Sequence, residues 1–205
     1  MSIEDTKRTA EVKRETGETR ISLNLDLDGS GKADISTGVG FLDHMLELLA
    51  WHAGLDLEIK AEGDLRVDAH HTIEDTGIVL GQALSAAVGD KRGIERYGYF
   101  LLPMDEVLVA AALDLSGRPW YVSDYSPLRD NLGEMPADMV NHFFYSVAAE
   151  ARMTLHFKFM NQGDNEHHRV EAMFKAFGRS LRAAVSMAGG EGEASGRIPS
   201  TKGKL

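Results

Sequence analysis

The chain contains no cysteine among its 205 residues. That excludes disulfide staples, thiolate metal sites and a cysteine nucleophile, and leaves nitrogen and oxygen as the available metal donors. Long apolar runs are also missing. Stretches such as Val107–Leu113 fall far short of the ~18–20 residues needed to span a bilayer, and the polar opening MSIEDTKRTAEVKRE has no signal-peptide apolar region. Positive charge is in deficit: 22 Lys and Arg against 32 Asp and Glu give a net charge of −10. A chain this acidic is not expected to bind nucleic acid or an anionic membrane non-specifically. The expectation is a soluble, cytoplasmic protein. With 43% hydrophobic and 26% charged residues, it reads as globular, with one large domain or two tightly joined halves.

Glu18 to Leu27 alternates apolar and polar residues at Ile21, Leu23, Leu25 and Leu27, the pattern of a strand with one buried face. A strand near Thr9–Arg14 precedes it. The turn cluster Asp28-Gly29-Ser30-Gly31 and a short strand at Ala33–Ser36 predict a hairpin. Phe41–Trp51 carries apolar residues at helical spacing with Gly54 just beyond its end, so a helix is expected there. A strand at Leu55–Ile59 and a helix over His70–Val88 follow.

The second half repeats the first in order and in local sequence. Leu25-Asp26-Leu27-Asp28-Gly29 recurs as Leu113-Asp114-Leu115-Ser116-Gly117, and Phe41-Leu42-Asp43-His44 as Met139-Val140-Asn141-His142. His70-His71-Thr72-Ile73-Glu74 recurs as His167-His168-Arg169-Val170-Glu171, and Leu55–Ile59 corresponds to the strand at Met153–Phe159. The prediction is an internally duplicated α+β fold: two βββαβα units, residues 1–93 and 94–205, joined near Gly93 into one body with two four-stranded sheets and four helices. Only the tail Ala188–Gly196 reads as mobile.

Six of the eight histidines occupy repeat-equivalent positions within or ahead of H-H-x-x-E strings. Adjacent imidazoles on a helix diverge by about 100°, so His70 and His71 are expected to serve two different ions. If a local two-fold axis relates the repeats, one consistent partition gives His44, His71, His167 and Glu171 to one metal. It gives His70, Glu74, His142 and His168 to the other, leaving open positions for substrate or water. His52 and His156 lack such support and read as structural. The string is not H-E-x-x-H, so a zinc-protease reading does not apply.

These residues resemble one family closely, the imidazoleglycerol-phosphate dehydratases. The resemblance is carried by GVGFLDHMLELLAWH (38–52), GDLRVDAHHTIEDTGIVLGQAL (63–84), GIERYGYFLLPMDEVL (93–108), LDLSGRP (113–119), the segment 153–184 and PSTKG (199–203). Thr201 stands where serine is common and Glu47 where aspartate is frequent. The fold it implies is ribosomal protein S5 domain 2-like, and the form implied is the monofunctional one.

The resemblance further implies two Mn2+ ions per active site in the two ligand sets above. It implies dehydration of imidazole-glycerol phosphate to imidazole-acetol phosphate, through a di-metal-bound imidazolate, in histidine biosynthesis. Glu18 would be the proton acceptor, with His71 and Glu171 also catalytic. Arg96, Arg118, Lys175, Ser200 and Lys202 would hold the substrate phosphate. A homo-oligomer of 24 subunits with active sites at subunit contacts is the expected assembly. The rival readings are a dinuclear metallohydrolase, a metal-storage shell and a nucleic-acid module.

Overall fold

The computed structural model describes residues 7–188 and 197–203; nearly all of the tail expected to be mobile lies outside them. The first unit runs β1 (Thr9–Glu15), β2 (Thr19–Asp26), β3 (Ala33–Ser36), α1 (Gly40–Ala53), β4 (Asp56–Gly63), α2 (His70–Val88). The second runs β5 (Tyr97–Met104), β6 (Val107–Asp114), β7 (Trp120–Ser123), a small pair β8 (Asn131–Leu132) and β9 (Met135–Pro136), α3 (Met139–Glu150), β10 (Thr154–Asn161), α4 (Glu166–Val185). The sheets have matching orders, β1-β2-β4-β3 and β5-β6-β10-β7. This is the duplicated α+β architecture, with two four-stranded sheets and four helices.

The expected β2–β3 hairpin is absent. β2 is flanked by β1 and by β4, with which it pairs antiparallel from Thr19↔Gly63 to Asp26↔Asp56. β3 instead joins the far edge of β4 in parallel, Ala33↔Leu57 to Ser36↔Lys60. Parallel neighbours need a crossover, and α1 supplies it. Asp56 Oδ1 anchors the intervening turn by accepting from Ser30 N at 2.7 Å and Lys32 N at 2.9 Å. A second departure is the β8–β9 pair, inserted between β7 and α3 where the first unit passes almost directly from β3 into α1.

Alternation decides which strand face is buried: Ile21, Leu23 and Leu25 on β2 and Val107, Val109 and Ala111 on β6 all point into the core. The helices then pair across the repeats, α1 against α4 and α2 against α3, while α2 and α4 also cover the sheet of their own unit. Two repeat-equivalent glycines allow this approach. A Cβ at Gly81 would lie 2.7 Å from Val147 O, and one at Gly178 would lie 3.1 Å from Leu49 O. Because the pairing crosses between repeats, the lone histidine helix of one unit faces the H-H-x-x-E helix of the other.

Candidate metal centres

On α4, His167 and Glu171 stand one turn apart, with Nε2 2.9 Å from Oε2. His44 of α1 faces them, its ring centroid 6.1 Å from that of His167, and Phe41 packs edge-on against His167 at 5.2 Å. Donor atoms of His44, His167 and Glu171 all lie within 4.8 Å of one another. Burial raises the Glu171 carboxyl, but Lys175, 2.5 Å away, and His167 outweigh it and hold Glu171 below the ordinary glutamate range. The carboxylate is thus an anion ready to meet a cation.

The second centre repeats the first. His70 and Glu74 on α2 face His142 on α3, with Glu74 3.6 Å from His70 Nε2 and 3.1 Å from His142 Nε2. Their donor atoms also fall within 4.8 Å of one another. His142 Nε2 is buried yet makes no hydrogen bond. A buried ring nitrogen beside a carboxylate with no hydrogen bond of its own leaves its lone pair available to a cation. Two imidazoles and one carboxylate suit a borderline divalent ion such as manganese, iron or zinc and leave coordination positions free. The residues present therefore fit the implied metals.

One part of the predicted partition is not assembled within a single chain. His71 does not join His44, His167 and Glu171, and His168 does not join His70, Glu74 and His142. The cause is the ~100° step between helical neighbours: with His70 aimed at α3 and His167 at α1, the following imidazoles turn away. His71 Nδ1 lies 3.1 and 3.2 Å from the Asp64 carboxylate, and His168 Nδ1 lies 3.0 and 3.3 Å from that of Glu106. These bonds raise the proton affinity of both rings. Neither carboxylate was singled out from the sequence. His52, lowered by burial and then by Lys175 and Arg179, and the exposed His156 on β10 lie outside both centres.

Arg96 is almost buried and grips Asp114 through Nε at 2.6 Å and Nη2 at 3.0 Å. Its Nη1 donates to Pro199 O at 2.8 Å, and Gly93 N donates to Arg197 O at 3.0 Å. These contacts fasten the segment carrying Ser200 and Lys202 beside Arg96. Leu115 N donates to Arg96 O at 3.1 Å, which sets the turn carrying the exposed Arg118 against the same place. Four of the five predicted phosphate contacts are thereby gathered. Lys91 and Arg152 lie close by, unnoticed in the sequence: Lys91 is lowered by burial and then by Arg152, with Arg96 and Arg118 acting in the same direction. Lys175 stands apart, on Glu171. Glu18, exposed at the β1–β2 turn, is near enough to influence His71.

A duplicated α+β fold with a histidine–carboxylate cluster at each cross-repeat helix pair, and a separate basic cluster where Arg96 N meets Ala184 O at the far end of α4, defines an enzyme class with two candidate metal sites. The family model for imidazoleglycerol-phosphate dehydratase matches residues 37–181. The chain is 55% identical over 97% of its length to the imidazoleglycerol-phosphate dehydratase of Xanthobacter autotrophicus, covering 98% of that protein. It is 57% identical over 87% of its length to that of Acetivibrio thermocellus, covering 91% of it. Among solved structures, the Staphylococcus aureus imidazoleglycerol-phosphate dehydratase superposes with TM-score 0.79 at 38% identity, covering 87% of this chain and 99% of that one. The chain belongs to the imidazoleglycerol-phosphate dehydratase family and is an enzyme of the hydro-lyase class.

Proposed function

We propose that the chain converts imidazole-glycerol phosphate to imidazole-acetol phosphate and water, in histidine biosynthesis, with two Mn2+ ions per active site. The observation that carries this reading is the mirror pair of triads, His44/His167/Glu171 and His70/Glu74/His142, with His142 Nε2 buried against the Glu74 carboxylate without a hydrogen bond. When bound, the two ions would draw charge into the substrate's imidazole ring by holding both ring nitrogens, the activation needed where no carbonyl acidifies the neighbouring carbon.

The chain's own residues do the rest. Glu18 accepts the proton from the carbon next to the one that loses its hydroxyl. Arg96 and Arg118, with Ser200 and Lys202, stand about 20 Å along α4 from Glu171, beside Ala184, and so hold the phosphate dianion of a substrate seated at a neighbouring copy's metal centres, the arginines through paired N–H donors. Lys175 keeps Glu171 ionised for its ligand role.

His71 and His168 complete the two ligand sets from neighbouring copies, in a cytoplasmic homo-oligomer of 24 subunits. Exposed Tyr97, Tyr99 and Leu101 on one face of β5, together with exposed Trp51 and Trp120, support such an assembly, because apolar surface of this kind is costly on a solitary subunit. No helix among the described residues is long and apolar enough to cross a membrane.

The test is ketone formation from imidazole-glycerol phosphate by metal-stripped protein with and without added Mn2+, beside a phosphoester hydrolysis assay. Ketone that depends on Mn2+, without release of phosphate, is the expected result. No ketone with any divalent ion would refute the reading.

A further inference from the structure

The contacts that draw His71 and His168 away from the triads share a chemistry. Each ring offers Nδ1 to a carboxylate of its own chain, Asp64 at 3.1 Å and Glu106 at 3.0 Å. Among the described residues, Nε2 of neither ring enters a hydrogen bond or ion pair. In the triads the atom aimed at the glutamate is Nε2 on His70, His142 and His167. The free atom on His71 and His168 is thus of the kind the centres already use. Both rings also remain open to solvent, with side-chain exposures of 40% and 27%, so a group outside the chain can reach them.

The two carboxylates are themselves fixed, and by different parts of the fold. Asp64 sits in the turn after β4, which Val67 N closes by donating to Asp64 O at 2.7 Å. Glu106 sits in the β5–β6 turn. It accepts from Asn165 N at 3.3 Å, while Asn165 Oδ1 caps α4 by accepting from His167 N at 3.0 Å. A Cβ at Gly163 would come within 2.6 Å of Glu106 Cγ, so only glycine there leaves room for this approach. Neither acid belongs to the H-H-x-x-E string, and the repeats reach the same arrangement from non-equivalent positions.

We propose that Asp64 and Glu106 are positioning residues. Each holds its histidine with the proton on Nδ1 and the ring turned outward, so that Nε2 is presented as a metal donor to a second copy of the chain. The presentation to a second copy rests on the proposed function; the orientation of the rings rests on the contacts described above. A carboxylate behind a ligating imidazole sets its tautomer and raises its basicity, and losing one weakens metal affinity by ~10–100-fold.

The test is Mn2+ titration of the metal-stripped full chain, with assembly followed by sedimentation velocity. The variants are Asp64→Ala, Glu106→Ala, His71→Ala and the double variant Asp64→Ala/His71→Ala. Each carboxylate variant is expected to need ~10–100-fold more Mn2+ to assemble, with an unfolding midpoint near that of wild type. The double variant should behave as His71→Ala alone, since a residue acting through another adds nothing once that other is gone. Wild-type Mn2+ binding and assembly in both carboxylate variants would overturn the proposal. So would a double variant impaired by the full extra Asp64→Ala increment, which would mark a structural role instead. Glu106→Gln and Asp64→Asn, which keep the shape, supply the same comparison if an alanine variant does not fold. Wild-type protein that takes up no Mn2+ would overturn the metal reading itself and this pairing with it.

Discussion

Glu166→Gln is expected to be costly out of proportion to its size. Glu166 and Arg169 open α4 with side chains 0% exposed, and Nη1 lies 2.9 Å from Oε2. The remaining partners of the guanidinium are uncharged. Nη2 donates to Gln162 Oε1 at 3.0 Å, the rings of Tyr125 and Phe159 lie 5.1 and 5.5 Å from Cζ, and Nε has no hydrogen bond. Glu166 in turn accepts from the Tyr125 hydroxyl, which burial and this carboxylate keep protonated, and from Leu128 N at 2.9 Å.

Removing the negative charge strands a buried cation, a loss of about 3–5 kcal/mol for a broken buried pair. At roughly 2–4 °C per kcal/mol for a chain of this size, the melting temperature should fall by ~6–20 °C. Calorimetry on metal-stripped wild type and variant measures this without a contribution from bound ions. The double variant Glu166→Gln/Arg169→Met should recover most of the loss, because it removes the buried cation that Glu166→Gln alone leaves unpaired. A loss below ~1 kcal/mol, the value of an exposed pair, would refute the argument.

Three further outcomes follow from the same geometry. Gly81→Ala should destabilise by ~1–3 kcal/mol through overpacking against Val147 O. Gly178→Ala, whose Cβ would meet Ala53 N, His52 Cβ and Leu49 O at 3.1 Å, should cost less than Gly81→Ala because a helix-propensity gain of about 1 kcal/mol offsets part of a milder crowding; paired thermal melts separate them. Glu18→Gln should retain Mn2+ while losing at least ~100-fold in turnover, and retained turnover would move the proton acceptor elsewhere. Asp28, hydrogen-bonded by Arg8, titrates below the ordinary aspartate range. A carboxyl depressed in the folded state contributes stability that is present above its unfolded pKa of about 3.9 and lost as pH falls through the lower folded value. Asp28→Asn should therefore flatten the acid limb of a stability–pH curve, and an unchanged limb would count against the pair.

The strands and helices were legible wherever one periodicity dominated, as in Ile21 to Leu27 and in the helix from His70 to Val88. The repeat made the triads legible too, since H-H-x-x-E fixes its own spacing and the lone histidines recur at matching distances. What failed was information held between elements. The β3 pairing turns on which strand occupies the open edge of β2, and local turn residues say nothing of that. Asp64 lies seven residues before His71 and Glu106 sixty-two before His168, so only the packed chain brings each acid to its ring. Arg169 and Glu166 look in sequence like an ordinary solvated helical pair. Their burial comes from the 124–138 insertion, which has no counterpart in the first unit.

The exchange of helix partners between repeats bears on the descent of the chain. A protein made of one βββαβα unit would hold the lone histidine on one helix and the H-H-x-x-E string on another that does not face it, half of each centre and the whole of neither. Such an ancestor could have assembled either centre only by docking with its own twin. Joining two such units in one chain makes that partnership permanent and frees the two copies from identity. The pair of ring-holding acids uses that freedom, an aspartate after β4 in one half and a glutamate at the β5–β6 turn in the other: one task met in two ways by halves that need not match.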